Sequence, residues 1–354
     1  MWKYGQVDFL RQKLEQNGYV VIPDVVPVEE CDKYIRQYRT WLSRYGEENY
    51  PFWNKSIIQQ YRVGHSEPTW KTRLWTKPVF ASIWKTDKLL SSMDGIAIGE
   101  PPELGRTTFR EPGCNWFHID QGSRREGLHT YQGAVYLEGT TEEDHCFRVI
   151  EGTSNNHNEF FSEFSAASKK QGDFIKLDSK HIDWFKEQGG EEKIITVPKG
   201  GMVLWDSRNV HDNIAPLKCR TSPDKWRFVV FVSMGPAIWA KDEDINLKQK
   251  AYNEMVSTAH WACQGVRLFP NSFEARGCKS RKIIEMINEQ PAIAKTKTVK
   301  QLAGIEPYDF QDGMPNDPGW EPTWKDVGPV HGASGYSKRK IYNKQNTRSK
   351  TREM

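Results

Sequence analysis

R106-T-T-F109, N115-W-F-H118, Y131-Q-G-A-V-Y-L137, C146-F-R-V-I150, K193-I-I-T-V197, M202-V-L-W205 and W226-R-F-V-V-F-V232 are short β-patterned runs within one stretch of the chain, from Arg106 to Ser233. They are broken by Gly, Asn and Asp, the residues that turn a chain between strands. Several short strands with turns between them predict a double-sheet jelly roll, the double-stranded β-helix of cupin-like proteins. A helix-like insert around Phe160 to Phe185 is expected to leave the strand count unchanged. The fold class expected is mainly β with flanking helices, carrying a helical C-terminal extension.

Before this stretch, D8-F-L-R-Q-K-L-E-Q-N17 sets Val7, Leu10 and Leu14 on one helical face, Gly18 ends the helix, and Y19-V-V-I22 reads as a strand. Pro27 occupies the first turn of a second helix, on which Val28, Cys31, Ile35, Tyr38 and Leu42 recur. Residues 49–84 interleave Trp53, Trp70, Trp75 and Trp84 with Arg62, His65, Lys71 and Arg73, with weak periodicity. Two readings stay open there: a lining that stacks bases or an organic substrate, or tryptophans capping a hydrophobic layer beneath a long loop. After Ser233, helices are expected over Asp244–Ala259, with Leu247, Ala251, Met255 and Ala259 in register, and over Lys279–Asn288. G313-M-P-N-D-P-G-W-E-P-T-W324 reads as an ordered surface loop, and the extension is expected to pack beside the jelly-roll mouth. The division is a scaffold over 1–105, a jelly-roll core over 106–235, a helix-and-loop extension over 236–335, and a tail over 336–354.

At 354 residues and 37% hydrophobic content the chain can bury a full core. No apolar run approaches the ~20 residues that span a bilayer, so no membrane span is expected. M1-W-K-Y-G-Q-V-D8 lacks an apolar signal core, which points to a soluble intracellular protein of cytoplasm or nucleus. The six cysteines show no C-x-x-C spacing, which argues against a zinc knuckle and a disulfide framework. The net charge is +4, and residues 336–354, where seven Lys or Arg face one Glu, carry the excess, leaving the body nearly neutral. Such a tail could contact phosphates, making nucleic acid an alternative partner, but short basic tails are more often simply solvated. Oligomeric state is not encoded in any pattern read here.

His-x-Asp occurs twice, as His118-Ile-Asp120 and His181-Ile-Asp183, so the tripeptide alone is weak. Residues two apart on a strand point to one face, so His118 and Asp120 can reach one metal from a strand end. His211 supplies a third ligand 93 positions later, with room for the intervening strands. His181 lies in a lysine-rich, helix-like segment. His129, His145 and His157 follow too closely, and His260 and His331 lie beyond the sheet. K199-G-G-M-V-L-W-D206 reads as a turn and a strand, followed by a loop that ends at His211, with Asp212 capping that loop. Two imidazoles and a carboxylate with open positions opposite form the ligand set of a non-haem Fe(II) oxygenase.

Four blocks carry a resemblance to the phytanoyl-CoA dioxygenase-like family of Fe(II)/2-oxoglutarate-dependent oxygenases: N17-G-Y-V-V-I-P-D-V-V26 with the E29-E-C-D32 helix, H118-I-D-Q121, Tyr131–Ser154, and Gly200–Pro216. Within the third block Glu151 stands in place of a proline, His145 of a glycine, and Thr153-Ser154 of Ser-His. The resemblance implies a jelly roll that holds Fe(II) by His118, Asp120 and His211, with 2-oxoglutarate on the metal and O2 as co-reactant. Arg227 would then pair the distal carboxylate, since a guanidinium fork makes two parallel hydrogen bonds and stays charged. Arg220 is the rival, but it lies in a polar loop whereas Arg227 begins a strand. Gln132 matches a family position that can touch 2-oxoglutarate, or is an ordinary inward polar group. Related halogenases replace the carboxylate ligand with a small residue; here Asp120 is intact, which favours hydroxylation or another oxidation. The expected activity is oxidation of a small organic substrate with release of succinate and CO2. The alternatives are an oxygenase acting on nucleic acid or protein, and a binding protein that kept the fold and lost catalysis.

Overall fold

The computed structural model of the chain describes residues 4–45, 56–105, 116–170, 172–217, 219–269 and 287–325. The expected strand at 106–109, most of the helix at 279–288 and the basic tail lie outside the described residues. The helices are α1 (Tyr4–Asn17), α2 (Val28–Ser43), α3 (Glu67–Trp84), α4 (His157–Glu163), α5 (Ser165–Ser168), α6 (Ser179–Glu187), α7 (Asp242–Glu254) and α8 (Lys297–Leu302). The strands are β1 (Tyr19–Ile22), β2 (Ile57–Ile58), β3 (Leu89–Ser91), β4 (Ile96–Gly99), β5 (His118–Ile119), β6 (Arg125–Glu126), β7 (Tyr131–Tyr136), β8 (Phe147–Glu151), β9 (Ile175–Lys176), β10 (Glu191–Ile195), β11 (Met202–Asp206), β12 (Val210–Asn213), β13 (Arg227–Pro236) and β14 (Thr323–Trp324).

Two antiparallel sheets face each other, as the strand pattern predicts for a jelly roll. The larger runs β1-β11-β7-β13-β4-β2, with β3 also on β13; the smaller runs β10-β8-β12-β5-β9. Side-chain alternation decides what lies between them. Ala134, Tyr136, Val203, Trp205 and Val229 of the larger sheet meet Phe147, Val149 and Ile195 of the smaller. The opposite face of the larger sheet, with Ile22, Val135, Met202, Leu204, Phe228, Val230 and Val232, packs on α1, α2 and α3. Phe117, Ile119, Ile150, Ile175 and Val210 leave the smaller sheet on its far side and bury against Phe160, Phe161, Ile182 and Phe185 of the insert. Among the described residues no helix is long and apolar enough to cross a membrane.

Four differences from the sequence expectation have physical causes. His211 lies on strand β12 and not in a loop, because the V210-H-D-N213 run is too short and polar to show alternation. The insert contributes β9, which pairs with β5, so it adds to the strand count. Residues 67–84 form an 18-residue helix that no periodicity announces, since it buries Trp70, Thr72, Arg73, Val79, Phe80, Ile83 and Trp84 around most of its circumference and carries Pro78 inside. Trp70 and Trp84 are core residues, which favours the hydrophobic-layer reading of that region for those two. Helix α7 stops at Glu254, with Met255 in the left-handed region at φ 53°; of the expected face Ala251 is buried on the helix and Met255 and Ala259 are buried beyond its end, and Asp244, Lys248 and Tyr252 are buried with them.

Behind the smaller sheet, Arg148 of β8 faces Asp212 of β12 in register. Its Nε and Nη2 donate to the two carboxylate oxygens at 2.8 and 2.7 Å, and the Trp116 amide donates to the same carboxylate at 3.1 Å. Asp212 therefore does not cap a loop; fully buried, it ties β8, β12 and the approach to β5 together. Removing one partner of a buried pair strands the other charge. Asp212→Asn is expected to lower the unfolding free energy by about 3–5 kcal/mol, measured by urea titration. A second expectation concerns Lys248, which is 1% exposed and donates from Nζ to the Ser91 carbonyl at 2.5 Å. Burial depresses its pKa from 10.5 to about 7. Between those values the unfolded chain binds the proton and the folded chain does not, so this residue makes stability rise with pH from 7 to 10.5. Thermal unfolding across that window is expected to lose this rise in Lys248→Met.

Candidate functional site

His118 and His211 are cross-strand partners of β5 and β12, both turned into the space between the sheets, with ring centroids 4.3 Å apart. Asp120 follows β5, and its amide donates to the Ser207 carbonyl at 3.2 Å. Its Oδ2 lies 3.6 Å from His118 Nε2 and 3.3 Å from His211 Nε2. Among the described residues these three form the group of His, Cys, Asp or Glu side chains whose ligand atoms converge, all within 4.8 Å of one another. The structure thus brings together the three residues that the sequence singled out. His181 caps α6, where its amide donates to Asp178.

The tautomers suit a cation. His118 Nδ1 donates to the Trp116 carbonyl at 3.2 Å and His211 Nδ1 to the Asn209 carbonyl at 2.9 Å. A carbonyl can only accept, so each Nδ1 carries the hydrogen and each Nε2 presents a lone pair. Burial, reinforced by the neighbouring His211, holds His118 below the usual imidazole range. Burial pushes the Asp120 carboxyl upward, and positive charge at the imidazoles of His118 and His211 pulls it well below the usual carboxylate range; with both Nε2 unprotonated, a bound cation would take that part. Two lone pairs and a carboxylate aimed at one point are the donor set of a divalent metal, with half of an octahedral sphere left to other ligands. Iron fits these residues.

The loops on either side are fixed by side chains. Gln132 of β7 donates to Asp120 Oδ2 at 3.0 Å. Gln121 Oε1 accepts from Ser207 Oγ at 2.8 Å, and its carbonyl accepts from His157 Nε2 at 2.8 Å. Asn209 Oδ1 accepts from Thr153 Oγ1 at 2.8 Å, while Thr153 Oγ1 accepts from the Val210 amide. Gly18, at φ +79°, stands so close that a Cβ would lie 2.6 Å from Asn209 Oδ1. Trp116 stacks on His118 at 4.6 Å, and Trp205 and Phe147 flank His211 at 5.2 and 5.5 Å.

The two candidate arginines separate clearly. Arg220 is committed to Glu103 at 2.9 and 3.1 Å and to Asp144 at 2.8 Å. Arg227 opens β13 on its inward face, 6% exposed. It donates from Nη1 to Ser56 Oγ at 2.8 Å and from Nη2 to Asn213 Oδ1 at 3.0 Å. Asn213 lies two residues past His211 on the same strand, which places the guanidinium along the wall that leads to the metal ligands.

Sequence reasoning missed a clamp beside the candidate site. Arg125 forks onto Asp173 at 3.0 and 3.1 Å and lies between the rings of Trp261 and Trp324, at 3.4 and 4.2 Å. Phe174, the next residue, sits 4.7 Å from the His118 ring and is 53% exposed. His129 Nε2 donates to the Thr323 carbonyl, 2.8 Å away, on this side of the fold. His260, set aside as lying beyond the sheet, is within the electrostatic reach of Asp120, Asp173 and His211. These partners are so far apart in the chain that no local pattern could have joined them.

Comparisons with known proteins agree with this geometry. The family model described as phytanoyl-CoA dioxygenase matches residues 14–213. "Ava biosynthesis cluster protein O" of Aspergillus versicolor is 25% identical over 272 residues, which are 71% of this chain and 84% of that protein. The crystal structure of GlcNAc Inducible Gene 2 from Candida albicans superposes with a TM-score of 0.58 at 15% identity, covering 86% of this chain and 78% of that one. The epimerase SnoN, solved with Fe3+, alpha ketoglutarate and nogalamycin RO, reaches a TM-score of 0.45 at 14% identity over 66% of this chain and 84% of its own. The matched family spans more than half of the residues, includes all three converging side chains, and uses iron, 2-oxoglutarate and O2: the chain belongs to the phytanoyl-CoA dioxygenase family of Fe(II)/2-oxoglutarate-dependent oxygenases.

Proposed function

We propose that His118, Asp120 and His211 hold the iron, that Arg227 binds the distal carboxylate of 2-oxoglutarate, and that the protein hydroxylates a small organic substrate. The observation that carries this reading is the cross-strand histidine pair, whose carbonyl-bound Nδ1 atoms leave two Nε2 lone pairs facing one carboxylate. Bound iron supplies the activation of O2 that the oxidative decarboxylation of 2-oxoglutarate to succinate and CO2 requires. The protein's share is positional. Gln132 holds Asp120 in orientation; Arg227, buried beside Asn213, offers a charged fork to a carboxylate; Trp116, Trp205 and Phe147 keep water from the imidazoles. An intact carboxylate at position 120 favours hydroxylation among the oxidations open to such a site.

The test is succinate release by anaerobically Fe(II)-loaded protein on exposure to O2, with and without a panel of small metabolites, beside optical titration of Fe(II) and 2-oxoglutarate. Stimulation by one class of compound, abolished in His118→Ala, is the expected result. Arg227→Ala is expected to raise the 2-oxoglutarate requirement at least about 30-fold, the effect of losing about 2 kcal/mol from a buried charge pair. Failure of the wild-type protein to bind Fe(II) and 2-oxoglutarate together would falsify the site assignment.

A further inference from the structure

Strand β9 forms one edge of the smaller sheet, beside β5. Its register is fixed against the strand that carries the first candidate ligand. Lys176 faces His118 and Ile175 faces Ile119, and the Leu177 amide donates to the Phe117 carbonyl at 2.9 Å. Side chains alternate along a strand, so residues paired across two strands share a face. Phe117, Ile119, Ile175 and Leu177 all bury on the far side of the sheet, against the insert. The residues between them therefore turn the other way, to the side on which His118, Asp120 and His211 converge. One is Lys176, in register with His118. The other is Phe174, which the same register carried one residue further sets beside Asp120. The ring contact agrees, since Phe174 lies 4.7 Å from the His118 imidazole.

This edge is open to solvent. Phe174 is 53% exposed, Lys176 is exposed, and the Asp120 side chain keeps an exposure of 13%. A molecule that approaches along β9 thus meets Phe174 and Lys176 on its way to the Asp120 carboxylate. A phenylalanine left half in water gains little from the core and offers its apolar area to a ligand. Among the described residues no hydrogen bond or ion pair engages the Lys176 ammonium, so its charge is available. The guanidinium of Arg125 beside it is not, being forked onto Asp173. Two residues along a strand span about 6.6 Å, so ring and ammonium can be met by one small molecule.

Resting on the iron site proposed above, we infer that the β9 edge selects the substrate: Phe174 takes its apolar body and Lys176 its anionic group, so that the protein acts on a small amphipathic carboxylate or phosphate rather than on a neutral molecule. The two contributions differ in kind. The ring acts through apolar area, whereas the ammonium, standing in solvent, gives a modest attraction that salt screens. A lysine on an edge strand also guards the sheet against pairing with another chain. A charge of either sign serves as such a guard, so Lys176→Glu keeps that role and reverses the one inferred here.

The test uses the full chain loaded with Mn(II) and saturating 2-oxoglutarate, titrated with hydrocinnamate, octanoate and phenethyl phosphate beside the neutral hydrocinnamamide and octanamide. Proton relaxation of the added compound, enhanced by Mn(II) but not by Zn(II), reports binding next to the metal, and calorimetry gives the affinities. The anions are expected to bind more tightly than the amides, and the tighter of carboxylate and phosphate identifies the group. Lys176→Met is expected to weaken the anions about threefold and Lys176→Glu about tenfold at low salt, with the amides unchanged. Phe174→Ala is expected to weaken anions and amides alike, about tenfold, and Phe174→Leu to recover part of that loss. Affinity for 2-oxoglutarate is expected to stay within twofold of wild type in every variant, which shows the site intact. Anions that bind no better than amides, that 2-oxoglutarate displaces, or that bind Lys176→Glu or Phe174→Ala as tightly as wild type overturn the inference, as does a set from which nothing binds. Wild type that takes up neither Mn(II) nor 2-oxoglutarate defeats the iron-site reading instead, a result recognised before any other compound is added.

Discussion

The pairing of His118 with His211 across two short antiparallel strands is the constraint on which the site depends. Strand β5 has two residues and β12 four, so few backbone hydrogen bonds hold their register. A slip of one residue would turn both imidazoles out of the space between the sheets and bring Phe117 or Ile119 in. The outer face prevents this. Arg148 and Asp212 are opposite one another on the neighbouring strand pair, and the same carboxylate takes the Trp116 amide. The register of the inward histidines is therefore locked by a buried ion pair on the other side of the same sheet.

Asp120 is held differently, because it lies past the end of β5 where no ladder can fix it. Its amide is tied to Ser207, its carboxylate to Gln132, and the following Gln121 to Ser207 and His157. Each of these ties reaches a different part of the fold, and each uses a neutral partner. A charged partner would compete with the metal for the carboxylate; a neutral amide orients it and leaves its charge available. The arginines nearby show the same economy of placement: Arg125 is matched to Asp173 and Arg148 to Asp212, so their charges are spent on structure rather than on Asp120.

What the sequence made legible follows from what is local. The alternating runs of β7, β8, β11 and β13, the α1–Gly18–β1 entry and the Pro27-initiated α2 are each encoded within a dozen residues, and the structure has them close to where they were read. The choice of His118 over His181 was legible too, because one lay in a strand pattern and the other in a helical one. Strand β12 was not, since V-H-D-N alternates chemistry that faces the site with chemistry that faces a buried arginine, and both look polar. Helix α3 was hidden by burial on most sides. On α7 a lysine and an aspartate share the buried face with Ala251: Asp244 accepts from the Gly265 and Val266 amides at 2.9 Å, and Lys248 Nζ donates to the Ser91 carbonyl of β3, so polar residues join the inward packing where apolar ones were expected.

The least legible part, the clamp around Arg125, differs from the converging His118, Asp120 and His211 in how it is made. The cluster is fixed by register within one sheet, so changing it means changing the sheet. The clamp is one guanidinium, on β6, that gathers three other segments: the Asp173–Phe174 turn, the loop bearing Trp261, and β14 at the far end of the described chain. None of the gathered segments carries a metal-cluster side chain. The converging His118, Asp120 and His211 and the residues gathered by Arg125 thus rest on separate supports, one a strand pair and the other a clamp between two tryptophans.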